Sequence, residues 1–356
     1  MQLDAITIED LVIPFKTSFQ HSSATRAKTE AVLVKATSTS QLEGMGEGCP
    51  RKYVTGETLE TAHKYFNNCK NELMELNNLE DLLSWTDKRS AEIDMNPAAF
   101  CAIELALLDL MAKTNEKSLE ALLAVPELAG EFSYTAVIGS RDNATFQAML
   151  KRYVDTGFSN FKVKIFGNPV IDQANINMFK SLEKNISLRL DANNLWSNWK
   201  EAASYIKLLD YPFHSIEEPL QVRQYQDLIE LFDALSLPII LDESCVCKQD
   251  IEAVIANPEP WIINIRISKM GGILRSLYMA ELCRSYKIPI ILGAQVGETS
   301  ILTRAALTVA NNFRDILIAQ EGAFGTHLLT HDVIDTPLVF GKNGILTADQ
   351  VTHSFH

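Results

Sequence analysis

Hydrophobic and polar positions follow one rhythm in the last two thirds of this chain and another before it. Short apolar runs begin near residues 133, 161, 187, 215, 238, 262, 289 and 316. Their spacing is roughly 25 residues, the length of one strand–helix unit in a barrel of about 250 residues or less. Amphipathic stretches fill the gaps. Within 197–210, Trp199, Ala203 and Ile206 share one helical face, and 273–287 is a second such stretch. Eight units predict an α/β fold with a (β/α)8 TIM-type barrel over 126–321. A doubly wound sheet is the alternative, but no Gly-rich fingerprint follows an early strand. Ahead of the barrel, 2–14 and 30–37 read as strands, with 16–26 between them as a polar loop too long for a hairpin turn. Glycine and proline mark 44–56 as loop, and a helical pattern takes over near Thr58. Asn96 and Pro97 supply a cap and a first-turn proline for a helix running to Lys113. That helix is apolar nearly all the way round, so it is predicted to lie buried between two layers. Residues 1–125 thus form an α+β piece, and 322–356 are a tail without helical period.

Composition narrows the function classes. The chain has 356 residues, 47% hydrophobic and 22% charged, with a formal net charge of -13. That balance argues against nucleic acid and anionic membranes, both of which select basic patches. No apolar run reaches the roughly 18 residues of a membrane span, and MQLDAITIED lacks the features of a signal peptide. The six cysteines show no ligand spacing beyond the C-x-C of Cys245 and Cys247. Reduced thiols and a cytoplasmic location are the expectation. His327 and His331 stand four apart, but Leu328 occupies the place of a zinc-protease glutamate, so both read as structural.

The chemistry collects at strand ends. The run Ser187-Leu188-Arg189-Leu190-Asp191 stops on a carboxylate. So do Ser215-Ile216-Glu217-Glu218 and Pro238-Ile239-Ile240-Leu241-Asp242-Glu243. Barrel active sites gather at the C-terminal ends of the strands. Asp191, Glu217 and Asp242 can converge there on one hard divalent cation, although each acid alone would equally serve as a helix cap. Glu218 and Glu243 read as partners of those ligands, and Asn193 as a turn former. On 160–165, Phe161, Val163 and Ile165 would face the helices, which turns Lys162 and Lys164 to the barrel axis. Two inward lysines require a neutralising anion, which a bound carboxylate and the acids supply. In the 16–26 loop, Arg26 is a surface arginine or a partner for a substrate carboxylate, and His21 is a loop residue. Glu298 is a helix-start acid or a hydrogen bonder at the site.

Taken together, Lys162-x-Lys164, LDANN, IEEP, LDES and the helix NPAAFCAIELALLDLMAK resemble the enolase superfamily, and within it the muconate-lactonising subgroup that includes dipeptide epimerases. The resemblance spans nearly the whole chain. It implies that 1–125 caps the barrel mouth, that the tail 322–356 returns to this cap, and that the 16–26 loop belongs to the lid. It also implies one Mg2+, with Mn2+ as a substitute, on Asp191, Glu217 and Asp242. The substrate would be a small-molecule carboxylate and the assembly a homo-oligomer. The implied chemistry is removal of the proton next to that carboxylate, with Lys164 as base and Lys162 holding the carboxylate and lowering the pKa of its neighbour. The implied activity is an epimerase or racemase of a dipeptide or N-substituted amino acid.

Two positions depart from that pattern. Where most of the subgroup carries a second catalytic lysine, this chain has Arg266. Strand parity turns Arg266 inward and the next lysine, Lys269, away, so Lys269 reads as structural. Arginine keeps its proton, which favours a one-base reaction such as cycloisomerisation or dehydration. On the eighth strand, where dipeptide epimerases carry an Asp-x-Asp pair for the substrate ammonium, Glu321 stands without a second acid. A non-catalytic barrel that binds metal and carboxylate is the remaining reading, and the intact Lys164 argues against it.

Overall fold

A computed structural model describes residues 1–20, 25–182 and 186–351, so His21 lies outside the described residues. The N-terminal layer is built from β1 (Leu3–Leu11), β2 (Pro14–Gln20), β3 (Thr25–Lys28), β4 (Ala31–Ser38) and β5 (Glu43–Gly48). β1, β4 and β5 form an antiparallel sheet with β4 in the centre. β2 and β3 pair antiparallel, so the described residues of the segment read as a polar loop, 16–20 and 25–26, lie in strands. Of the stretch 44–56 read as loop, 44–48 belongs to strand β5 and 49–56 is loop and turn. The glycines of β5 serve close packing and not turning: a Cβ on Gly44, Gly46 or Gly48 would stand 2.2, 2.1 or 1.9 Å from a carbonyl oxygen of the helix below.

Helices α1 (Leu59–Leu73), α2 (Leu79–Lys88), α3 (Ser90–Asp94) and α4 (Pro97–Thr114) complete the layer. Every residue of α4 from Pro97 to Ala112 is buried, as the pattern predicted. Its cap differs from the prediction. Asn96 makes no capping bond with its side chain. The Glu57 carboxylate accepts from Ala98 N and Ala99 N at 3.0 and 3.1 Å.

Next, β6 (Glu131–Ser133) pairs with the tail strand β15 (Ile345–Thr347) and leaves the barrel to start three residues later. The barrel strands are β7 (Ala136–Ile138), β8 (Asn160–Lys164), β9 (Ser187–Asp191), β10 (Ser215–Glu217), β11 (Ile239–Leu241), β12 (Trp261–Ile265), β13 (Ile290–Leu292) and β14 (Leu317–Gln320). They form one eight-stranded sheet in chain order, with every adjacent pair parallel. A backbone hydrogen bond from Thr135 N to Gln320 O, 2.7 Å, brings the two edges together. Phe161, Val163, Leu188 and Leu190 pack outward in the main core, while Ile240, Ile262, Ile291 and Ala319 form a separate apolar layer.

The tail touches both parts of the chain. Thr330 N donates to Pro14 O at 3.0 Å in the N-terminal layer, and β15 closes onto β6. The N-terminal layer also caps two barrel helices. Glu47 accepts from Thr299 N and Thr299 Oγ1 at 3.0 and 2.6 Å, at the start of the helix Ser300–Asn312. Glu104 accepts from Ile273 N and Leu274 N, at the start of the helix Ile273–Ser285. Buried helix starts need such acceptors for their unpaired N–H groups.

Candidate active site

β8 places Lys162 and Lys164 on its inward face, and their surroundings differ. Lys162 Nζ lies 2.8 Å from Glu217 Oε1, 3.1 Å from Glu321 Oε2 and 3.6 Å from Asp191 Oδ2. Burial pulls its pKa down, but Glu217, Glu321 and Asp191 outweigh that and hold it above the ordinary lysine value. Among the described residues, Lys164 Nζ has no hydrogen-bond or ion-pair partner. Its pKa is lowered, chiefly by burial; Asp191 opposes the shift and Lys162 adds to it. Burial therefore supplies most of the effect that the sequence reading ascribed to the neighbouring charge.

The acids come from three successive strand ends. The ends of β9 and β10 deliver Asp191 and Glu217, and the residue after β11 is Asp242, fully buried. Arg266, the residue after β12, puts Nη2 against Asp242 Oδ2 and 3.7 Å from Glu217 Oε1. Burial alone would raise the Asp242 pKa, but Arg266 and Lys269 draw it below the carboxylate range. Burial pushes Glu217 up to about 7 against the pull of Lys162. Among the described residues, no three His, Cys, Asp or Glu already stand as a ligand cluster; Lys162 and Arg266 bridge the acids. The donor set nevertheless suits a hard cation. Glu217 Oε2 and Asn264 Oδ1 are buried acceptors without a hydrogen-bond donor, and all the groups involved are oxygen donors.

Lys269 corrects the parity argument. β12 ends at Ile265, and 267–270 is a helical turn. The side chain therefore swings back to the centre and donates to Asp242 Oδ1 at 2.9 Å, Asp242 O at 2.8 Å and Asn264 O at 2.6 Å. Glu218 accepts from Asp242 N, Ser244 N and Ser244 Oγ at 2.7, 2.7 and 2.8 Å, and so fixes the end of β11. Asn193 has φ 45°, the left-handed backbone of a turn.

Among the residues assigned to substrate, Glu298 accepts from Gln295 N at 2.9 Å, and Gln295 Oε1 accepts from Arg266 Nη1 at 3.3 Å. Burial raises Glu298 to about 8. It does not cap the next helix, since Thr299 does. Glu321 is shared between Lys162 and Arg189, the latter at 3.2 Å. Arg26 is paired with Glu30 and is absent from the walls of the central cavity. Arg189 escaped the sequence reading, although its parity with Asp191 points it inward. It is 2% exposed and also donates to Thr135 Oγ1 at 2.8 Å.

Residues 145–350 match the family described as enolase C-terminal domain-like, and 4–124 match the mandelate racemase / muconate lactonizing enzyme N-terminal domain. This chain belongs to that enolase-type family. Its relatives within the family include a hydrophobic dipeptide epimerase of Enterococcus faecalis, 28% identical over 91% of this chain and 92% of that protein. An N-succinyl-L-Arg/Lys racemase of Bacillus cereus is 24% identical over 96% and 89% of the two chains. A solved structure of dipeptide epimerase from Enterococcus faecalis V583, complexed with Mg and the dipeptide L-Leu-L-Tyr, superposes with a TM-score of 0.83. It is 24% identical and covers 98% of this chain and 97% of that one. The N-terminal match ends just past the helix Leu119–Leu123, and the C-terminal match begins inside the helix Asn143–Thr156.

Proposed function

We propose that this chain is a divalent-cation-dependent epimerase or racemase acting on the α-carbon of a dipeptide or N-substituted amino acid. The observation that carries the reading is the contrast on β8: one lysine is locked among carboxylates, and the other is buried with no partner among the described residues and a lowered pKa. A lysine of that kind gives up its proton more readily than a free lysine and can serve as a base. Lys162, held charged, would bind the substrate carboxylate. Lys164 would take the α-proton. Asp191, Glu217 and Asp242 would hold one Mg2+ or Mn2+, and Lys269 would fix Asp242 in place. When bound, a hard cation draws charge from the carboxylate and stabilises the enediolate left by proton loss. The dipeptide epimerase and the N-succinyl amino acid racemase among the relatives support this substrate class.

Arg266 supports a second reading. It follows directly on β12, keeps its charge against Asp242, and offers no basic lone pair. A one-base cycloisomerisation or dehydration of a small carboxylic acid uses such a group as an anion stabiliser. Incubation in D2O separates the two. Deuterium at the α-carbon together with the other epimer supports the first, and a changed bond connectivity or loss of water supports the second. Exchange that survives strong chelation would sink the metal assignment.

The reading extends to a cap formed by 1–125 with part of the tail 322–356, closing over the mouth of the barrel at 126–321. The contact of Thr330 with Pro14 supports it. It includes a homo-oligomer, for which the exposed Val170 and Met95 are available. It also includes a reducing, cytoplasmic setting, consistent with six free cysteines. Among the described residues, no helix is long and apolar enough to cross a membrane.

A further inference from the structure

β5 ends at Gly48, and the chain leaves it through Cys49, Pro50 and Arg51, all of them buried. This short stretch lies against the barrel. Cys49 N donates to Ser268 Oγ at 2.8 Å, in the helical turn that follows Arg266. Arg51 is 1% exposed, and among the described residues no carboxylate pairs with it. Burying a charge without a counterion is costly, and an apolar side chain of similar bulk would fill the space at less cost. What an apolar side chain lacks is the set of bonds. Arg51 Nη1 donates to Glu30 O at 2.7 Å and to Pro50 O at 2.8 Å, and Nη2 donates to Val296 O at 2.8 Å. The guanidinium thus ties together the turn between β3 and β4, its own loop, and the loop that follows β13.

That last loop is a wall of the central cavity, which Gln295, Val296, Gly297 and Glu298 all line. It folds on itself: Glu298 N donates to Gln295 O at 3.1 Å, and Gln295 N donates to Glu298 Oε2 at 2.9 Å. Gly297, φ 88°, lets it lie close to the N-terminal layer, where a Cβ would stand 2.7 Å from Phe15 Cζ. The N-terminal layer grips the loop at two points, Arg51 at Val296 and Glu47 at Thr299.

On the cavity side the loop meets Arg266. Gln295 Oε1 accepts from Arg266 Nη1 at 3.3 Å, while Arg266 Nε is buried without a hydrogen-bond partner. The other partners of this guanidinium are Asp242 and Glu217. Both acids are proposed cation ligands, so Gln295 is the partner of Arg266 that does not depend on the cation. Arg51 itself is absent from the cavity walls and can act on the centre through this chain of contacts.

We propose that Arg51 is a positioning residue for Arg266: acting through Val296 and Gln295, it fixes where that guanidinium stands in the cavity. This rests on the reading of the centre as an α-proton exchange site. The test uses the full chain with Mg2+ and the dipeptide L-Leu-L-Tyr as probe, and reads α-deuterium incorporation by mass spectrometry. Misplacing a group by about 1 Å can cost about 10²-fold, so Arg51→Met should lower kcat by about tenfold or more and move KM by less than about threefold. Gln295→Leu should do the same. Adding Arg51→Met to Gln295→Leu should cost nothing further, because both cut one chain of contacts. Effects that multiply, or a change in KM alone, would mean that Arg51 serves the fold and not Arg266, and overturn the assignment. A second readout does not depend on turnover: crystal structures of the wild-type chain and of Arg51→Met. The Arg266 guanidinium should leave Gln295 Oε1 in the variant, and an unchanged contact overturns the proposal. If the wild-type chain exchanges no α-proton on this probe, the exchange reading fails for it, and the two crystal structures still decide the role of Arg51. If Arg51→Met does not fold, Arg51→Lys, which keeps the charge and loses the fork, takes its place in both measurements.

Discussion

Removing each lysine of β8 should have opposite consequences for stability and chemistry. Lys162 is 3% exposed and pairs with Glu217 and Glu321, so Lys162→Met removes the nearest cation from buried Glu217 and leaves Glu321 to Arg189. Breaking a buried pair from one side costs about 3–5 kcal/mol. Lys164 is buried without a partner among the described residues, and its lowered pKa marks the charged form as unfavourable there. Lys164→Met should therefore leave stability unchanged or raise it, since the variant removes a desolvated amine and keeps most of the volume. Its catalytic cost should be large, because loss of a positioned base is worth about 10²–10⁴ in rate, or roughly 3–5.5 kcal/mol of barrier. Urea unfolding at pH 8 measures the first quantity. Disappearance of the α-proton signal by NMR in D2O measures the second. If Lys164→Met is destabilised as much as Lys162→Met, the claim that Lys164 is unpartnered is wrong. If it still exchanges protons, the base lies elsewhere.

The pH dependence follows from the same shift. The base works deprotonated, so the exchange rate should climb as pH rises through the lowered pKa of Lys164 and level off below the ordinary lysine value. In that window the unfolded chain binds more protons than the folded one, so stability also rises with pH, and Lys164→Met should flatten both curves; a rate that falls with pH would contradict the assignment. Arg266→Lys should slow exchange by about tenfold, because a point charge cannot reproduce the guanidinium's joint contact with Asp242 and Gln295. Faster epimer formation in that variant would show that the position wants a base. Gly46→Ala sets a Cβ 2.1 Å from Ala102 O and 2.5 Å from Ala106 N. Forcing the strand off α4 should cost about 1–3 kcal/mol or more and lower Tm by at least about 3 °C, and an unchanged melting curve would refute the packing argument.

Strand parity made much of the centre legible. Inside β8 and β9 the alternation is regular, so Lys162, Lys164 and Asp191 could be placed on the inner face from sequence alone. The same rule placed Arg189 inward and went unused, because an arginine amid leucines was read as part of an apolar run. Applied to Lys269, the rule failed: the chain had already coiled into a helical turn, and 3.6-residue periodicity replaced two. Gly44, Gly46 and Gly48 misled for a different reason. Glycine in a strand and glycine in a turn look alike until the helix lying against them is known.

Glu47 and Glu104 have a consequence for how this protein can be recombined. Each sits in the N-terminal layer yet closes the first turn of a helix that belongs to the barrel. A barrel grafted onto a foreign cap would lose the acceptor for Thr299 N at the start of Ser300–Asn312 and for Ile273 N and Leu274 N at the start of Ile273–Ser285. Exchanging specificity between relatives by swapping whole caps therefore breaks the recipient at two places far from its chemistry. Such chimeras are viable only if a carboxylate arrives at both positions with the transplanted piece.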